Sequence, residues 1–186
     1  THRDVITAHN TIIAGNTRTN GNVADVNGTQ VFVAGSSNNI IGEGGDGGGL
    51  SHGTDGNIVG DGNGGNLDPD TILSSILADN GGPTLTHALV ADSPAIDAGS
   101  NAQALDADGN ALVNDQRGSG FDRVKDGLSD NSAIVDIGAV ELQVPFRDAI
   151  TFVVDTLEDE SDGDFSAGDL SLREAIEQAN TVAVVD

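Results

Sequence analysis

The chain has no cysteine, methionine, tryptophan or tyrosine, and five phenylalanines are its only aromatic residues. Without cysteine there is no disulfide framework, no thiol nucleophile and no cysteine-ligated metal, although the compartment stays open on that ground. Without tryptophan or tyrosine, stacking on sugar rings is poor. So few large rings argue for a thin core of stacked aliphatics. Basic residues are scarce too: 7 Lys and Arg stand against 30 Asp and Glu, a formal net charge of −23. Such a chain does not neutralise phosphates, which excludes nucleic acid and an anionic membrane surface as partners. No apolar run approaches the ~20 residues that a membrane-spanning helix needs, so no membrane insertion is expected.

Glycine is abundant, with 26 residues, and 37% of the chain is hydrophobic. The apolar residues fall in short Val/Ile runs, which weighs against disorder for most of the length. The chain does not start with Met and shows no signal-peptide pattern; it reads as an internal piece of something longer.

Two short motifs recur near the N-terminus. TIIAG (11–15) returns as VFVAG (31–35), and NNIIG (38–42) returns as GNIVG (56–60). Short β-branched strands at roughly 20-residue spacing, with Asn and Gly at the corners, predict the coils of a parallel β-helix. The fold class expected is therefore all-β, a solenoid with short capping helices. Asp68 followed by Pro69 predicts a helix start, with Ile72, Leu73, Ile76 and Leu77 on one face and the NGGP run at 80–83 as its stop. Residues 87–99 read as two short strands around a Ser-Pro turn. IVDIGAVEL (134–142) alternates as a strand, and ITFVVDT (150–156) begins another. Ser171 and Glu174 form a capping box ahead of Leu172, Ala175, Ile176 and Ala179, the apolar face of a terminal helix ending near Asn180.

Four blocks, ADNGGPTLTHAL (78–89), SPAIDAG (93–99), NDQRG (114–118) and DIGAVE (136–141), together resemble the C-terminal part of bacterial choice-of-anchor Q surface proteins. The tail, FVVDTLEDESDGDFSAGDLSLREAIEQAN (152–180), resembles the CSLREA domain, with Leu170 where the family has its cysteine. The resemblance implies a large secreted protein of right-handed parallel β-helices. Residues 1–142 would close one unit, residues 143–149 would link, and residues 150–186 would cap the next. The face of Leu172, Ala175, Ile176 and Ala179 would then cover a coil end, within the chain or between copies.

Candidate chemistry is sparse. Ser51-His52-Gly53 and Arg123-Val124-Lys125 echo a polygalacturonase pattern, but no Asp-Asp pair accompanies them, and no enzyme is expected. The four histidines show no ligand spacing. Calcium has better candidates. Asp159, Asp162, Asp164 and Asp169 crowd one loop, and Asp106, Asp108 and Asn110 form a fragment of an EF-hand loop, with Arg117 where the bidentate Glu belongs. Arg117 and Arg123, among Asp115, Asp122 and Asp126, read as pins of the fold. Taken together, the expected role is a structural or adhesive module, secreted or at a cell surface, assembling end to end with calcium support. Its partners would be copies of itself or adjacent units, or a surface polysaccharide. The alternative is a carbohydrate-binding or carbohydrate-cleaving, pectate-lyase-like β-helix.

Overall fold

The computed structural model describes residues 5–28, 30–45, 47–128, 130–143, 153–154, 156–159, 161–162 and 170–182, the last five of these as backbone only. The chain divides into two compact units, Thr1–Phe146 and Arg147–Asp186.

In the first unit TIIAG and the two Asn-Ile-Ile/Val-Gly motifs build a three-stranded parallel sheet in the order β1 (Ile12–Ile13), β2 (Ile40–Ile41), β3 (Ile58–Val59). Ile12 lies beside Ile40 and Ile40 beside Ile58. β-branched residues pack well on a pleated surface, and successive residues point to opposite faces. Ile40 therefore enters one core, with Ile72, Leu89, Ala95, Ile96 and Ile137. Ile41 enters a second, with Val26, Phe32 and Val59. Both isoleucines are fully buried.

Two further strands, β4 (Leu73–Ala78) and β5 (Thr86–Leu89), pair antiparallel across a register break between Leu73 and Leu77. A 3-10 turn, Pro69–Thr71, leads into β4; Asp68 caps it by accepting the Asp70 N–H at 3.0 Å.

The parallel β-helix expectation is corrected. The sheets are small and mixed, three short parallel strands and an antiparallel pair, and neither a solenoid nor a closed sheet is present among the described residues. A stacked coil presents one strand face to its interior and the other to solvent, whereas here both faces of β2 are covered by separate cores. The spacing is also uneven. NNIIG and GNIVG pair as expected, but TIIAG pairs with NNIIG, because the antiparallel bridge between Thr17 and Val23 occupies the intervening chain.

The expected helix after Pro69 stops after one turn. Leu73, Ile76 and Leu77 belong to β4, where pairing with β5 and a 2.7 Å bond from the His87 ring to Ser74 O replace helical bonds. Ile76 and Leu77 remain exposed, so the apolar spacing that suggested a helix marks no buried face. Of the two strands read in residues 87–99, the first is β5 and the second is a chain of tight turns about Ser93. The expected strand 134–142 makes a single bridge, Lys125 to Ile134. Of the strand expected at 150–156, residues 150–152 and 155 lie outside the described residues.

In the second unit, α1 (Leu172–Val182) forms as the capping box demands. Ser171 Oγ accepts the Glu174 N–H at 3.2 Å, and Glu174 Oε2 accepts the Ser171 N–H at 3.1 Å. The helix runs past Asn180 to Val182.

Candidate functional site

Most of the buried charged side chains among the described residues, Asp115, Arg123, Asp136 and Glu141, lie in residues 97–142, a stretch with few regular strands. Arg123 is 4% exposed and Glu141 is 1% exposed. Arg123 Nη1 donates to Glu141 Oε2 at 2.9 Å, and Nη2 donates to the carbonyls of Asp136 (3.2 Å) and Gly138 (2.9 Å). Glu141 also accepts the N–H groups of Asp136 (2.9 Å) and Lys125 (3.1 Å). Asp136, fully buried, accepts from the N–H of Asp97 (2.8 Å) and of Leu142 (2.6 Å).

Beside this core Arg117 grips Asp115 through Nε and Nη2 and also donates to the carbonyls of Asn80 and Glu141. Its guanidinium stacks 4.1 Å from the Phe121 ring centre. Phe121 in turn lies so close over Gly81 (φ +88°) that no side chain fits there. These bonds tie four separate loops together. Planar guanidinium forks serve this task because one group satisfies several acceptors at once.

Burial pushes Glu141 up to about 8, against the pull of backbone N–H groups and Arg123. Asp136 is pushed up to about 6 by burial, against the Leu142 and Asp97 N–H groups. Perturbed carboxylates often mark catalysis, but a catalytic group needs a face open to substrate. Here every bond of Asp136 and Glu141 goes inward to the chain.

The candidate calcium ligands among the described residues do not converge. Asp106 Oδ1 accepts the N–H of Asp108 (2.9 Å) and of Asn110 (2.8 Å), and the Asn110 amide nitrogen faces the same carboxylate at 3.2 Å. These donors, that of Asn110 foremost, hold the Asp106 carboxyl below its usual range. The arrangement is an Asx turn closing the bridge between Leu105 and Ala111, and it presents N–H donors where a cation needs oxygen.

In the other loop Asp159 pairs with Arg173 (2.8 and 2.7 Å), whose hydrogen bonds lower the Asp159 carboxyl. The Asp162 N–H donates to Glu174 Oε1 at 3.1 Å. Asp164 and Asp169 lie outside the described residues. Among the described residues no three His, Asp or Glu side chains are grouped to hold a metal ion, and nothing there supports calcium.

Of the helix face singled out for capping, Ala175 is buried, whereas Leu172 and Ile176 are 64% and 53% exposed; the Ala179 side chain lies outside the described residues. The echo of a polygalacturonase site dissolves as well: His52 accepts the Val59 N–H, and Arg123 is sealed against Glu141.

Sequence reasoning missed Asp136 and Glu141. The one signal there is the alternation of 134–142, which sets Asp136 opposite Val135 and Ile137; all three are fully buried. Compared with models of protein families, with curated proteins and with solved structures, the chain matches none.

Proposed function

We propose that this chain is a structural or adhesive module of an extracellular protein, acting by contact with copies of itself or neighbouring units and without turnover. The observation that carries this reading is the commitment of the buried charges. Arg117, Arg123, Asp115, Asp136 and Glu141 bond to one another or to the backbone and hold loops in place. A cluster of this kind supplies rigidity to a segment with few strand hydrogen bonds, which suits a part whose task is to keep its shape.

The surface charge fits the same role. A net charge of −23 keeps such a module soluble and resists lateral clumping, so that contacts form only where the charge permits. Sedimentation velocity of the purified chain over a wide concentration range tests the reading. Reversible association is expected, and a single monomeric species throughout contradicts it.

A further inference from the structure

The turn that leads into β4 begins at the only Asp-Pro bond in the sequence. The four prolines, at 69, 83, 94 and 145, follow Asp, Gly, Ser and Val. A bond to proline is a tertiary amide, so its nitrogen carries no hydrogen and leaves as a secondary amine when the bond breaks. Asp68 places a carboxyl on the same residue whose carbonyl carbon forms that bond. Attack of a carboxyl oxygen on this carbon closes a five-membered ring, and no second group has to be brought near.

The fold adds what an isolated Asp-Pro pair lacks. Asp68 O accepts two hydrogens from one residue, the Thr71 N–H at 3.0 Å and the Thr71 hydroxyl at 2.7 Å. At such distances paired donors stabilise the negative oxygen of a tetrahedral intermediate. The Asp70 N–H holds Asp68 Oδ1 at 3.0 Å, and Oδ2 has no partner among the described residues. Asp68, Pro69, Asp70 and Thr71 are all exposed, so water reaches the bond.

We propose that the chain cleaves its own Asp68–Pro69 bond. Oδ2 of the Asp68 carboxyl adds to the Asp68 carbonyl carbon while the two Thr71 donors take up the charge on the carbonyl oxygen. The C–N bond to Pro69 then breaks, the nitrogen leaves with the carboxyl proton, and a cyclic anhydride remains on Asp68. One water opens the anhydride, giving a free Asp68 carboxyl terminus and a free Pro69 amine. The net change is hydrolysis of one bond, once per chain. Because the nitrogen leaves with a proton, mild acid speeds the step. The two pieces stay together. Ile40, before the cut, packs with Ile72, Leu89 and Ile137 after it, and Asn10 bonds to Ser100 through both its amide atoms (3.0 and 2.7 Å).

Incubation of the purified chain at pH 5, followed over time by mass spectrometry, tests this. The wild-type chain is expected to yield one fragment ending at Asp68 and one beginning at Pro69, which separate on a denaturing gel and co-elute in native size exclusion. Asp68→Asn is expected to abolish the cut. Thr71→Val keeps the backbone donor and removes the hydroxyl at an exposed position. Cleavage about tenfold slower is expected, less than the loss in a water-excluded site because water replaces part of the bond. Slower cleavage is also expected when urea unfolds the wild-type chain at the same pH. A wild-type chain that stays intact overturns the proposal. Cleavage as fast in urea, or as fast in a folded Thr71→Val chain, shows only the ordinary lability of an Asp-Pro bond and overturns it too.

Discussion

Asn57 lies directly beneath Asn39, and its Oδ1 accepts both the backbone N–H (3.1 Å) and the side-chain amide (2.9 Å) of Asn39. Both residues are buried, at 1% and 2% exposure. The Asn57 amide in turn donates to Ser36 O and Thr54 O, and Asn39 Oδ1 accepts the Thr11 N–H. The pair therefore fixes the alignment of the three parallel strands by side chains as well as by backbone.

Asn57→Ala leaves the Asn39 N–H without its acceptor and the carbonyls of Ser36 and Thr54 without the Asn57 amide, while the Asn39 amide keeps only Ala8 O. Each unsatisfied buried group costs about 1–3 kcal/mol, and urea unfolding is expected to show a loss at the upper end of that range or beyond. A loss no larger than that of an exposed-site control such as Asn63→Ala contradicts the buried ladder.

Arg123→Met tests the charged cluster. It strips Glu141 of its one cationic partner and the carbonyls of Asp136 and Gly138 of their donor. Each buried acceptor left without its donor costs about 1–3 kcal/mol. The double variant Arg123→Met with Glu141→Leu is expected to recover part of the loss, since no lone carboxyl is left behind. Equal losses in the single and double variants contradict the pairing.

The raised carboxyls give a pH dependence of definite sign. Glu141 and Asp136 release their protons at about 8 and about 6 in the folded chain, and near 4 when unfolded. Between those values the folded form holds more protons, so stability falls as pH rises. Melting temperatures are expected to fall from pH 5 to pH 9, and Glu141→Gln is expected to flatten the profile by removing the larger contribution. A profile that rises over this window, or one that Glu141→Gln leaves unchanged in slope, contradicts the assignment.

Local signals in the sequence translated well where one short segment decides the outcome. Ser171 and Glu174 bond reciprocally as their spacing requires, and Asp68 caps the turn at Pro69. The match of NNIIG with GNIVG gave the correct strand pair. Longer-range choices were not legible. Leu73, Ile76 and Leu77 fit a helical face by spacing, yet pairing with Thr86–Leu89 claims the backbone. Nothing in the spacing of Asp136 and Glu141 announces that Arg123 meets Glu141 in the interior. Acidic loops suggest a cation; in the structure N–H groups bond to the Asp106 carboxylate and Arg173 pairs with Asp159. A carboxylate's partner is set by tertiary placement, which spacing along the chain does not encode.

Ser171→Ala removes the hydroxyl that accepts the Glu174 N–H at the start of α1. Loss of such a cap costs about 1 kcal/mol. In a first turn where Glu174 is also buried, the helical circular-dichroism signal is expected to fall at a lower temperature than in the parent chain. An unchanged thermal profile contradicts the reciprocal cap.

Salt dependence of association tests the account most directly, because it joins the structural role to the −23 charge. Added salt shortens the screening length, to about 3 Å at 1 M, and so weakens the repulsion between copies. Sedimentation equilibrium at low and at raised sodium chloride is expected to show self-association that tightens as salt increases. A chain that stays monomeric at every salt concentration contradicts the account.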